Sequence, residues 1–132
     1  MSDMARVLVA DDDPAMLCAV ADALERLGCD VARAETGADL VDQVANEGLF
    51  DLIVSDISMP WMDGLKTLRS MRTAGLATPA IVMTALTDGQ IPAQVRALGP
   101  NVILLRKPFR LDELEAAVAT LIPMRPTADR QS

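Results

Sequence analysis

The sequence predicts an α/β domain of (βα)5 type, a parallel sheet with helices on both faces. Three observations predict it. Between Arg6 and Ile122, short apolar runs alternate with segments of helical spacing. Four of the runs are continuously apolar, as strands buried on both faces require. The chain has 132 residues, close to the commonest domain size, with no length for a second folded module. Right-handed crossovers between parallel strands restrict the topology further.

The first strand is read over Val7 to Ala10, and its run stops at Asp11. Asp13 and Pro14 then open a helix as cap and first residue; Leu17, Val20, Ala21, Leu24 and Leu27 form its stripe, and Gly28 ends it. Cys18 lies in this pattern and is expected to pack as a small apolar residue. Cys29 to Ala34 alternates more and reads as an edge strand. Leu40, Val41, Val44 and Ala45 give the second helix, between Thr36 and Gly48. Leu52 to Val54 is the third strand, running into Ser55-Asp56. Asp63 reads as a cap or turn before a helix carrying Leu65, Leu68, Met71 and Arg72. Ala80 to Met83 is the fourth strand, closed by Thr84. A short helix starts near Pro92, which cannot sit deep in a helix, and stops at Gly99-Pro100. Val102 to Leu105 is the fifth strand, followed by Arg106-Lys107, and Leu111, Leu114, Val118, Leu121 and Ile122 give the last helix. Residues 123–132 are polar with two prolines and read as a frayed tail, which leaves a domain over 1–122.

Composition removes whole mechanisms. There is no histidine, so Ser-His-Asp and Cys-His catalysis, a phosphohistidine carrier and His-ligated zinc are excluded. Two cysteines are too few for a tetrathiolate site. Twelve basic against 19 acidic residues give a net charge of −7, which argues against direct binding to nucleic acid or anionic lipid. Hydrophobic residues make up 51%, enough for a core that must be aliphatic, since Phe50, Trp61 and Phe109 are the only aromatics. No run approaches the length of a membrane span, and the first residues lack the layout of a signal peptide. A cytoplasmic location with reduced cysteines is expected.

In a parallel sheet all strand ends of one sense lie on one edge, and open α/β sheets bind ligands beyond that edge. Asp11, Asp12 and Asp56 therefore converge there with Thr84 and Lys107. Several carboxylates without a soft ligand form a hard-oxygen site suited to Mg2+ or Mn2+. A lysine and a hydroxyl opposite them suit a phosphoryl group, and aspartate is able to form an aspartyl phosphate. Carboxylates about 4 Å apart repel by about 4 kcal/mol at an effective dielectric of about 20, a burden an inert cluster would not justify.

At these residues the chain resembles the receiver domain of two-component response regulators, over essentially Arg6 to Ile122. Val7-Leu8-Val9-Ala10-Asp11-Asp12-Asp13-Pro14 looks like the family's acidic opening, and Leu52 to Gly64 like its phosphoacceptor segment. Ile81-Val82-Met83-Thr84-Ala85 and Lys107-Pro108-Phe109 are similar to its other two motifs. The resemblance implies a flavodoxin-like fold of strand order 2-1-3-4-5. It implies that Asp56 accepts the phosphoryl group and that Asp11, Asp12, Asp56 and the Ser58 backbone carbonyl hold Mg2+. It implies that Thr84 and Lys107 contact the phosphoryl group and that Lys107-Pro108 is cis. The implied donor is a phosphohistidine on a histidine kinase or a histidine phosphotransfer protein. The implied output is a protein target met by the face of the fourth helix, fifth strand and fifth helix. A homodimer through the last two helices is left open. Such a domain catalyses its own phosphorylation and dephosphorylation without being a conventional enzyme.

Departures stand beside the matches. Leu104 occupies the place, three residues before the motif lysine, where the family usually carries Tyr or Phe. Asp88-Gly89 and Pro92 make the start of the fourth helix unusual. Ser58 and Leu86 occupy positions that tune phosphoryl lifetime in the family, and Trp61 reads as a half-cover at the site edge. Three alternatives follow. One is a phosphorylation-independent interaction module with the receiver fold. Another is a receiver piece of a larger regulator or hybrid kinase. The third is a Mg2+-dependent phosphatase, against which Asp56-Ile57-Ser58 lacks the Asp-x-Asp pattern.

Overall fold

The apolar runs become the centre of a five-stranded parallel sheet in the computed structural model, which describes residues 4–46, 50–59, 62–85 and 89–122. Chain order is β1 (Arg6–Ala10), α1 (Pro14–Arg26), β2 (Asp30–Ala34), α2 (Gly37–Asn46), β3 (Leu52–Asp56), β4 (Ser58–Met59), β5 (Met62–Asp63), α3 (Gly64–Thr73), β6 (Ala80–Thr84), α4 (Ile91–Arg96), β7 (Val102–Arg106) and α5 (Leu111–Leu121). The main sheet runs β2-β1-β3-β6-β7, which is order 2-1-3-4-5 for its five strands. β4 and β5 pair antiparallel as a separate small ribbon, Ser58 opposite Asp63, which no periodicity announces. The Asp63 side chain, and the readings placed on Trp61, Leu86, Asp88 and residues 123–132, lie outside the described ones.

Strand alternation divides the core in two. Val7, Val9, Leu52, Val54, Ile81 and Met83 face α1 and α5, meeting Leu17, Val20 and Leu24 on one helix and Leu114 and Val118 on the other. Leu8, Ile53, Ala80 and Val82 face the other way, toward Leu40 of α2, Leu65, Leu68 and Met71 of α3, and Ile91 and Val95 of α4. β1 and β6 are therefore apolar at every central position, and β3 as far as Val54, because both of their faces are covered.

Local chemistry sets the helix ends. The Asp13 carboxylate accepts from the Ala15 and Met16 amides, and Pro14 fills the first turn. The Thr36 hydroxyl accepts from the Asp39 amide before α2. At the start of α5, the Glu113 carboxylate accepts from the Arg110 amide at 2.7 Å. Gly28 turns the chain out of α1 at φ +93°, a backbone region that side chains resist.

Three expectations are corrected. Cys18 is exposed, not packed: it sits one residue past Leu17, off the buried stripe, and its thiol donates to Asp22 Oδ2 at 3.6 Å. Val41 and Ala45 are exposed, so the stripe of α2 narrows to Leu40 with Val44 half-buried. The run Val102 to Leu105 forms an edge strand whose first three residues are only half-buried, because β7 has a neighbour on one side alone. Among the described residues, no helix is long and apolar enough to cross a membrane.

Candidate functional site

Register carries the site residues to one edge. Ala10 lies opposite Ser55, so Asp11 comes level with Asp56; Asp56 lies opposite Met83, and Thr84 opposite Arg106. Backbone bonds extend the ladders past the strand ends. The Asp11 amide donates to the Ala34 carbonyl at 3.1 Å, Ile57 to Met83 at 3.0 Å, and Lys107 to Thr84 at 2.7 Å. The side chains are thus mounted on the last rungs of a buried sheet, where backbone freedom is least.

The centre of the site is an ion pair with two acceptors. Lys107 Nζ donates to Asp11 Oδ2 at 2.9 Å and to Asp56 Oδ2 at 3.1 Å. Asp11, Asp56 and Thr84 are buried, and Lys107 is half-buried. The second Asp11 oxygen accepts from the Asp13 amide at 3.0 Å, so the same turn that caps α1 also orients Asp11. The Ser55 hydroxyl donates to the Asp56 carbonyl at 2.9 Å beneath the site. Burial alone lowers the Lys107 ammonium, but hydrogen bonds to Asp11 and Asp56 and their charges outweigh it and hold the ammonium above the ordinary lysine value. The Lys107-Pro108 peptide that follows is cis, as expected.

Asp11, Asp12 and Asp56 each offer a carboxylate oxygen within 4.8 Å of the others, and Asp12 is exposed at the mouth of the group. Carboxylates at that spacing repel by about 3 to 4 kcal/mol per pair at an effective dielectric of about 20. One lysine against three carboxylates leaves the cluster negative. A solvent-open, all-oxygen donor set of this charge fits a small hard divalent cation. Thr84 closes β6 one step beyond the pairing of Asp56 with Met83. Ser58 lies in β4, two residues past Asp56, its side chain lying outside those described.

One half-buried cation was not anticipated as a partner-bearing group. Arg72, read as part of the α3 stripe, turns its guanidinium to the opposite edge of the sheet. There it donates to the carbonyls of Leu98 at 3.0 Å, Leu76 at 3.0 Å and Thr78 at 2.7 Å, and to Asn101 Oδ1 at 3.4 Å. Backbone carbonyls leave no mark in a sequence, so no signal could have found this network.

The model for the response regulator receiver domain matches residues 7–119. Among curated proteins, the response regulator MprA of Mycobacterium sp. (strain KMS) is 35% identical over 118 residues, 89% of this chain and 50% of that protein. The transcriptional regulatory protein ZraR of Escherichia coli (strain K12) is 34% identical over 113 residues, 85% of this chain and 25% of that protein. The chain therefore spans a quarter to a half of these relatives. Among solved structures, the receiver domain of the Francisella response regulator 1452 is similar at TM-score 0.80 and 32% identity, covering 89% of this chain and 95% of that one. The chemotaxis response regulator CheY4 of Vibrio cholerae is similar at TM-score 0.79 and 28% identity, covering 90% and 99%. Fold, strand order and matched segment agree, and the chain belongs to the response regulator receiver domain family.

Proposed function

We propose that this receiver domain takes a phosphoryl group from a phosphohistidine of a partner protein onto Asp56 and signals through protein contacts. The observation that carries the reading is the Lys107 ammonium bridging Asp11 and Asp56 inside a three-carboxylate cluster. The chain has no histidine, so the donor is external: a histidine kinase or a histidine phosphotransfer protein. An Asp56 carboxylate oxygen attacks phosphorus, and the P–N bond of the donor breaks with its electron pair passing to the imidazole nitrogen, which takes a proton from solvent. Lys107 then meets the charge on the transferred oxygens, and the Thr84 hydroxyl donates to them. Asp11, Asp12, Asp56 and the Ser58 carbonyl are the groups that would hold Mg2+ or Mn2+, whose charge would screen the carboxylates from the incoming phosphoryl oxygens. Attack of water on phosphorus then breaks the bond between the Asp56 carboxylate oxygen and phosphorus, releases inorganic phosphate and regenerates Asp56.

The unit that does this is residues 1–122, with 123–132 as a tail, working in the cytoplasm. Its output surface is the α4–β7–α5 face, and the net charge of −7 favours a protein over nucleic acid as direct target. A second reading, a phosphorylation-independent interaction module, draws on Leu104: it is half-buried against the α2–α3–α4 side of the core and brings no ring to rotate.

Incubation with Mg2+ and acetyl phosphate, read by intact mass, separates the two. A single phosphoryl adduct that disappears in Asp56→Asn is expected. No adduct, or one that survives Asp56→Asn, overturns the proposal, and turnover of a small phosphomonoester would revive the phosphatase.

A further inference from the structure

We infer that the outer face of α2 and α3 is an interface between two copies of this chain, with α2 of each lying over α3 of the other. The inference stands apart from the phosphoryl-acceptor reading of Asp56 and from the α4–β7–α5 face.

The two helices cover the same side of the sheet, and the ribbon strand β5 touches both. Each has ten residues and starts at a glycine, Gly37 in one and Gly64 in the other. Their charges are opposite at the same steps. Asp39 and Asp42 are the third and sixth residues of α2, which has no Lys or Arg. Lys66 and Arg69 are the third and sixth residues of α3, which has no Asp or Glu. All four are exposed. Among the described residues, neither Asp42 nor Arg69 forms an ion pair. Lys66, Arg69, Ser70 and Thr73 line a shallow, open groove along α3. Next to Asp42, Val41 is 41% exposed, an apolar side chain that the stems of Lys66 and Arg69 are able to cover.

Both helices follow strands of one parallel sheet, so they run in the same direction. A two-fold axis parallel to them sets α2 of one copy over α3 of the other, again in the same direction. The third and sixth steps then meet opposite charges, and symmetry makes the contact twice. A two-fold axis across the helices would instead set acid on acid and base on base. The face is therefore complementary to itself in one arrangement, although the chain as a whole carries −7. Each helix is only about 15 Å long, so the face falls short of the roughly 800 Å2 per partner of a standard interface. The dimer is accordingly weak, and its charges decide whether it forms.

The test is sedimentation equilibrium of wild type, Asp42→Lys, Arg69→Glu and an equimolar mixture of the two variants, at concentrations reaching the millimolar range. Both positions are exposed, so thermal melting of each variant should match wild type. Wild type is expected to show a reversible monomer–dimer equilibrium. Each variant alone should associate about tenfold more weakly, because one reversal turns two attractions into repulsions. The mixture should recover the wild-type constant to within about threefold, since both contacts again join opposite charges. The mixed pair carries the same total charge as two wild-type copies, so its recovery reports the face and not the net charge. Wild type that stays monomeric throughout overturns the inference and leaves the α3 groove to an acidic partner of another sequence. Association that neither variant weakens, or a mixture that fails to recover, overturns it as well. So does tighter association of Asp42→Lys, the less acidic chain, which would make net charge the determinant.

Discussion

Two half-buried cations tie distant parts of this chain together, at opposite edges of the same sheet, and they do so with different partners. Lys107 sits between carboxylates, 2.9 Å from Asp11 and 3.1 Å from Asp56. Arg72 sits among neutral carbonyls and one amide. The consequence shows in their acidities: the carboxylates hold the Lys107 ammonium up against its burial, whereas burial lowers the Arg72 guanidinium, which among the described residues meets neutral oxygens. A cation between carboxylates is exchangeable, because another cation competes for the carboxylates and an anion competes for the ammonium. A cation among carbonyls has no such competitor. One edge is thereby suited to change state and the other to stay fixed.

The largest expected effect comes from breaking the first edge. Lys107→Met leaves Asp11 and Asp56 buried without their cation and should cost about 3 kcal/mol in metal-free urea unfolding. Added Mg2+ should recover more stability in this variant than in wild type, since a cation again meets the carboxylates. Arg72→Met should cost about 2 kcal/mol through stranded acceptors, with no dependence on Mg2+. Equal metal dependence in both variants would erase the distinction between the edges. Wild type itself should melt several degrees higher with Mg2+, and an Asp12→Ala variant less so, because Asp12 is the exposed member of the cluster.

The smallest effect concerns the two thiols. Cys29 is buried, and desolvation, helped by the charge of Asp51, pushes its thiol up. A raised thiol ionises in the unfolded chain before it does in the folded one, so stability should fall as pH rises above the ordinary thiol range of about 8.5. Cys29→Ala should remove that slope. Alkylation of the folded protein should label exposed Cys18 at once and Cys29 only on unfolding.

Much of this was legible beforehand, for reasons that differ between elements. The runs at Val7, Leu52 and Ala80 announce themselves because burial on both faces demands unbroken apolarity. Asp11, Asp12, Asp56, Thr84 and Lys107 follow from the same runs, since each stands where a run ends, whereas Ser58 is implied by the family resemblance alone. The fifth run misleads in one respect: apolarity alone does not distinguish a central strand from β7 at the edge. Cys18 misleads because position 18 falls a residue beyond the buried stripe, and a small sulfur residue suits either side. The β4–β5 ribbon is too short to carry a period. The Arg72 network is illegible, because three of its four acceptors are main-chain carbonyls that every residue has.

The central claim is that Asp56, rather than Asp11 or Asp12, carries the phosphoryl group. Borohydride reduces an aspartyl phosphate to homoserine and leaves free carboxylates intact. After phosphorylation with acetyl phosphate and Mg2+, reduction and peptide mass spectrometry should place homoserine at position 56 alone. Homoserine at position 11 or 12, or none in a sample whose intact mass shows the adduct, would contradict it.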